Sequence, residues 1–159
     1  MSKVVIKTER LNIISRSIAE LSSLLEQETD LEMKQAYYEM IETMRKLPGK
    51  EEWGCDWAIN LTSGVTIGGI CFKGAPDAEG IVEIGYGIDE AYRKKGYATE
   101  AVRGIVKWVF EHNEVKCVVA QTDIHNEISQ KVLIQNGFIQ DGYGVEGPLF
   151  TRKKHEKEE

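Results

Sequence analysis

The run Arg93-Lys94-Lys95-Gly96-Tyr97-Ala98 joins three basic residues to a glycine where a strand-like segment gives way to a helix-like one. A helix leaves its first backbone N–H groups without intrahelical acceptors, and its dipole puts partial positive charge at the same end. Main chain there can therefore hold a pyrophosphate. Gly96 would let that anion come close, and the amides from Lys94 to Thr99 are the candidate donors. Two other phosphate loops do not fit, since the chain has no Gly-x-x-x-x-Gly-Lys run and no Gly-x-Gly-x-x-Gly opening the helix. The plain alternative is a solvated basic turn. Cations at a helix N-terminus oppose the dipole, however, and a bound phosphate would explain them.

Such a turn works only if its flanking elements fix it. Ile81-Val82-Glu83-Ile84-Gly85-Tyr86-Gly87-Ile88 reads as a strand, and from Tyr97 to about Asn113 the residues Ala98, Ala101, Val102, Ile105, Trp108 and Val109 recur at helical spacing. Lys116 to Thr122 is a compact apolar strand, so the unit is strand, helix, strand, with the two strands parallel neighbours. Gly85 and Gly87 weaken packing in the first strand and permit a bulge that would leave amides and carbonyls unpaired. The alternative for these glycines is a bend without a ligand.

Upstream, Lys3 to Ser15 suits one strand or a strand pair, Ile18 to Gln27 a helix, and Asp30 caps a second helix that Leu47-Pro48-Gly49 stops. Cys55 to Leu61 and Thr66 to Phe72 flank Thr62-Ser63-Gly64 as a hairpin. Downstream, Asn126 caps a helix ended by Asn136-Gly137, and Phe138-Ile139 and Leu149-Phe150 supply the last strands. Residues 1–152 read as a single domain and 153–159 as a charged, frayed tail.

A length of 159 residues with 42% hydrophobic content suits one core and is short for two domains. The formal charge of −6 argues against a nucleic-acid module, which needs clustered cations; it suits cationic substrates, or solubility alone. Cys55, Cys71 and Cys117 are scattered, have no Cys-x-x-Cys spacing and read as buried thiols. His112 and His125 are too isolated for a metal site. Neither a signal peptide nor a membrane span is legible, so a cytoplasmic protein is expected.

At this point the chain resembles the GNAT superfamily of acyl-CoA-dependent N-acyltransferases. That family's signature is Arg or Gln, two residues, Gly, one residue, then Gly or Ala, which Arg93, Gly96 and Ala98 fit. Glu83-Ile84-Gly85-Tyr86, Ala98-Thr99-Glu100-Ala101, Asn126-Glu127-Ile128-Ser129 and Gly137-Phe138 extend the likeness from Ile81 to Phe138, closest to the ribosomal-protein and small-molecule N-acetyltransferase branch. The resemblance implies a single-domain α/β fold of the α+β type. Its mixed, mostly antiparallel sheet would have about six or seven strands splayed at an acetyl-CoA cleft, with about four flanking helices.

It also implies the site. Acetyl-CoA, as co-substrate and without a metal, would lie where the Ile81 to Ile88 strand leaves the Lys116 to Thr122 strand. Main chain at Tyr86, Gly87 and Ile88 would grip the pantetheine arm, and Arg93, Lys94, Lys95, Gly96, Tyr97, Ala98 and Thr99 the pyrophosphate. Direct transfer needs a neutral amine, and a lysine-type ammonium with pKa of about 10.4 must lose a proton first. Glu83, mid-strand just ahead of the splay, is the candidate general base; alternatively it is an exposed strand residue or an anion that orients the acceptor. An amide near Ile88 is the candidate oxyanion donor.

Many relatives protonate the departing thiolate with a Tyr in the helix that begins here at Asn126, but Leu133 stands in its place. Ser129, or a water it holds, remains as the hydrogen-bond donor, and Asn126 could touch the pantetheine arm. As alternatives, Asn at the N-cap and Ser at the third helical position are ordinary helix-start residues. Tyr37, Tyr38, Trp53 and Trp57 could line an acceptor pocket or belong to the core. Implied partners are an amine-bearing acceptor, a small molecule or a protein N-terminus, with no nucleic acid or membrane. Homodimers are common in the family, although the residues carry no dimer signal. The leading reading is therefore an acetyl-CoA-dependent N-acetyltransferase. An acyl-CoA-binding regulatory module without transferase activity is the alternative that Leu133 keeps open.

Overall fold

Thr8-Glu9-Arg10 turns the first apolar segment back on itself, with the Thr8 N–H donating to the Leu11 carbonyl at 3.0 Å, so two strands form rather than one. These are β1 (Val5–Lys7) and β2 (Leu11–Ser15) in the computed structural model, which describes residues 3–155. The chain continues through α1 (Ile18–Gln27), α2 (Leu31–Arg45), β3 (Asp56–Leu61), β4 (Thr66–Phe72), β5 (Ile81–Ile88) and α3 (Tyr97–Phe110). It ends with β6 (Cys117–Gln121), α4 (Glu127–Gln135), β7 (Ile139–Tyr143) and β8 (Pro148–Lys153). Ser17, Asp30 and Asn126 cap α1, α2 and α4 by accepting first-turn amides, Ser17 within a full capping box.

The strands make one sheet in the order β1-β2-β3-β4-β5-β6-β8-β7. Every neighbouring pair is antiparallel except β5 and β6, which are parallel because α3 carries the chain between them. The mixed α+β architecture matches the expectation, but the sheet has eight strands where six or seven were expected. The chain end is also more ordered than expected. Arg152 and Lys153 lie in β8, and the Lys154 N–H donates to the Lys116 carbonyl at 2.9 Å, so strand pairing holds the start of the anticipated tail. The rest of that tail, 156–159, lies outside the described residues.

α3 buries Ala101, Val102, Ile105, Val106, Val109 and Phe110, its 3.6-residue stripe, and each large aliphatic side chain contributes about 1.5–3 kcal/mol. Trp108 on α3 packs edge-on to Trp57 of β3 with ring centroids 5.0 Å apart, and Trp53 and Phe72 complete the cluster. Tyr37, Trp53 and Trp57 are therefore core residues rather than an acceptor wall; of the four aromatics considered, only Tyr38 is exposed. Cys55 is fully buried, but Cys71 and Cys117 are half-buried, a correction that follows from their place on the less covered face of the sheet. Among the described residues no helix is long and apolar enough to cross a membrane.

Candidate active site

The sheet opens between its two parallel strands. β5 pairs with β6 only from Ile81↔Cys117 to Ile84↔Ala120, while its pairing with β4 continues unbroken from Phe72↔Ile84 to Gly68↔Ile88. Gly85 and Gly87 thus produce no bulge against β4; the register shifts lie elsewhere, at Ile59/Asn60 between β3 and β4 and at Gln140/Tyr143 between β7 and β8. β6 ends at Gln121, and the Thr122 N–H donates to the Pro148 carbonyl at 3.2 Å, continuing the β6–β8 ladder past the last pair with β5. The Asp89 N–H bonds the Ile67 carbonyl at 2.8 Å, so by antiparallel alternation the main chain of Tyr86 and Ile88 faces the opening.

A cavity of 470 Å³ fills this opening. Tyr86, Gly87, Ile88, Arg93, Lys94, Gly96, Tyr97, Ala98, Thr99, Asn126 and Ser129 all line it. Lys95 does not: its ammonium lies over the Tyr92 ring, 5.9 Å from the centroid. α4 adds Ile128, Lys131, Val132 and Gln135. Sequence reasoning missed those four, although their spacing along one helical face was the available signal.

Among the described residues α3 is the one α-helix without a side-chain cap, and its N-cap is Gly96 with φ 82°. No side chain caps its first amides, an arrangement compatible with an anion there. Lys94 also adopts a left-handed conformation, φ 66°. Neighbouring elements fix this unusual turn. Arg10 of the β1–β2 turn donates through Nη1 to the Lys95 carbonyl at 2.9 Å, and its guanidinium lies 4.5 Å from the Tyr97 ring centroid. The same Arg10 donates through its N–H and Nε to Glu100 at 2.7 Å each, and the Thr8 hydroxyl donates to Glu100 as well. Burial works against the Glu100 charge, but these bonds hold its carboxyl below the usual range. Arg93 donates to the Ile88 carbonyl at 2.8 Å, tying the turn to the free edge of β5.

Glu83 and Tyr86 are an odd number of residues apart on β5 and so project from opposite faces of the sheet. Glu83 does not line the cavity. Its Oε2 lies 3.0 Å from Lys73 Nζ and accepts from Gln121 Nε2 at 3.1 Å, and neither contact uses Oε1. Lys73 also pairs with Glu146 in the β7–β8 turn; burial opposes its charge, but the two carboxylates hold the ammonium above its ordinary range. This side-chain network joins positions 73, 83, 121 and 146, and no sequence motif announced it.

On the same face, Asp56 lies across from Cys71, which lies across from Gly85. Burial pushes the Asp56 carboxyl up to about 6, with Arg16, 3.0 Å away, opposing the shift. A raised carboxylate pKa means the folded state binds the proton more tightly than the unfolded chain. The stabilisation is complete below the unfolded value and is lost as pH rises toward 6. Asp56→Asn mimics the protonated form. Its unfolding free energy relative to wild type should rise by up to about 3 kcal/mol between pH 4 and pH 7. Denaturant titrations at both pH values check this, and a pH-independent difference refutes it.

On the cavity side, the Tyr86 hydroxyl lies 2.8 Å from Ser129 Oγ and 3.1 Å from the Ser129 carbonyl oxygen. The Ser129 N–H donates to Asn126 Oδ1 at 3.1 Å, so Asn126 serves as the N-cap as well as lining the cavity. Leu133 is fully buried and presents nothing to the cavity. Thr122, at the end of β6 just past the last β5 pair, holds the single buried side-chain oxygen without a partner among the described residues. No group of three or more His, Cys, Asp or Glu among those residues could hold a metal.

Residues 9–139 match the family model described as the Acetyltransferase (GNAT) domain, more than half of the chain. The chain belongs to the GNAT acetyltransferase family. Over 73 residues, 46% of this chain and 44% of the relative, it is 37% identical to an uncharacterised N-acetyltransferase, YjdG, of Bacillus subtilis. Over 76 residues, 48% of this chain and 42% of the relative, it is 29% identical to the ribosomal-protein-serine acetyltransferase of Escherichia coli. The matched stretch thus spans less than half of either curated relative. A ribosomal L7/L12 alpha-N-protein acetyltransferase solved with coenzyme A superposes with TM-score 0.72 at 14% identity, covering 94% of this chain and 98% of its own, a likeness of fold.

The residues fit an acyl-CoA: the Tyr86 main chain and the Ile88 N–H on the open edge of β5 suit the pantetheine amides, and an uncapped helix start beside Arg93 and Lys94 suits a pyrophosphate.

Proposed function

We propose that this GNAT protein moves an acetyl group from acetyl-CoA directly to a primary amine of a small molecule or a protein N-terminus. One observation carries the reading: the β5–β6 split opens into a cavity whose far wall is the uncapped start of α3. Main chain of Tyr86 and Ile88 binds the pantetheine arm, amides from Lys94 to Thr99 bind the pyrophosphate, and Asn126 borders the arm from α4. Glu83 approaches from the opposite face of the sheet, with Oε1 available to take the ammonium proton. The Ile88 amide faces the developing oxyanion, and Ser129 donates to the departing sulfur. The three free cysteines suit a reducing cytoplasm.

The experiment is thiol release from acetyl-CoA with a panel of amines: ribosomal proteins and their N-terminal peptides, polyamines, amino acids and aminoglycosides. The match to the Escherichia coli enzyme puts ribosomal proteins first. Release that depends on one amine class supports the reading. Tight CoA binding with no amine raising release above hydrolysis favours the second reading, an acyl-CoA-binding module, which the buried Leu133 supports.

A further inference from the structure

The bond between Tyr86 and Ser129 crosses from β5 to α4, spanning the cleft just beyond the last β5–β6 pair. The phenol has one proton and two acceptors, both on Ser129: Oγ at 2.8 Å and the carbonyl oxygen at 3.1 Å. While the Ser129 hydroxyl donates to Tyr86, the phenol proton rests on the carbonyl. When a stronger acceptor draws the Ser129 proton, the phenol turns to Oγ. The carbonyl loses little, because a helical carbonyl also accepts from the N–H four residues on. Only two O–H rotations separate the states.

We propose that Tyr86 is a positioning residue for the leaving group, its hydroxyl donating to Ser129 Oγ and so directing the Ser129 hydrogen bond to the sulfur that departs from acetyl-CoA. The inference rests on the acetyl-CoA reading of the site. As the tetrahedral adduct collapses, the C–S bond breaks, its electron pair goes to sulfur and the carbonyl re-forms. The thiolate accepts the Ser129 hydrogen bond, both hydroxyl protons stay on their oxygens, and solvent later supplies the proton of the free thiol. A hydroxyl that accepts one hydrogen bond becomes a better donor of the next. Burial pushes the Tyr86 phenol up to about 12, so it keeps its proton across the physiological range. Leu133 presents no hydroxyl to the cavity, so the second donor comes from the strand rather than from α4.

The test uses CoA itself and needs no acceptor. The ultraviolet absorbance of the thiolate is titrated for CoA bound to wild type, Tyr86→Phe, Ser129→Ala and the double variant. A hydrogen bond to the charged form lowers its pKa, so the thiol bound to wild type should titrate about one pH unit below that bound to Tyr86→Phe. Ser129→Ala should shift it at least as far, and the double variant no further than Ser129→Ala, because Tyr86 acts through Ser129. A fluorinated tyrosine at position 86, a stronger donor of nearly the same shape, should move the thiol lower still, and this holds the test open if Tyr86→Phe misfolds. A thiol titration equal in wild type, Tyr86→Phe and the fluorinated protein overturns the proposal, as does Ser129→Ala without effect. Failure of wild type to bind CoA overturns the cofactor reading and the relay with it.

Discussion

Glu83→Gln is expected to lower kcat by about 10²–10⁴-fold while leaving acetyl-CoA affinity within about twofold. Glutamine keeps the shape and can still accept from Gln121 and Lys73 through its amide oxygen, so the network around Oε2 survives. What it cannot do is take a proton from the acceptor ammonium at neutral pH. Glu83 does not line the cavity proposed for the donor, which is why binding and turnover should separate. Steady-state rates with the acceptor found by the panel, beside calorimetric titration with CoA, check both halves. A kcat within threefold of wild type removes Glu83 as the base, and a parallel loss of CoA affinity assigns it to structure instead.

Gly96→Val should weaken acetyl-CoA binding by at least about tenfold and cost about 1–2 kcal/mol of stability. Gly96 has φ 82°, a conformation that valine resists, and its Cβ would stand 3.3 Å from Arg10 Nη2. Relief of either strain rotates the amides that follow, and a site made of aligned N–H groups is lost by small rotations. Thermal unfolding and CoA titration of the same preparation separate the two effects. Unchanged affinity in a folded variant would remove the start of α3 from the donor site.

These expectations divide along the line that separates legible from illegible sequence. Most of the cavity lining could be read because it is local. A strand with glycines, a basic turn and a helix stripe follow one another within thirty residues, and β5 and α1 form at the bounds their patterns set. β7 is exposed at every position and has no alternation to betray it, so only its neighbour Phe138 and its first residue were apparent. The clamp on the turn joins Arg10 to Glu100, and the pair at Glu83 joins Lys73 to Glu146, contacts spanning tens of residues that no window reveals. The Tyr86 hydroxyl was hidden differently. Its residue was expected at the cavity through its backbone, and only the fold shows that its side chain reaches α4.

The clamp that Arg10 and Glu100 place on the turn has a consequence for how a ligand arrives. Its bonds are made entirely within the protein, by residues that do not line the cavity, so the first amides of α3 are aligned before anything binds. Little ordering entropy is then lost on association, and affinity for the donor depends mainly on the contacts formed. A cradle built of main chain also places few demands on the identity of nearby side chains. The network of Lys73, Glu83 and Glu146, by contrast, is built of side chains and lies outside the cavity. On the proposed transfer reading, substitution there would alter the choice of acceptor and leave the turn as it is.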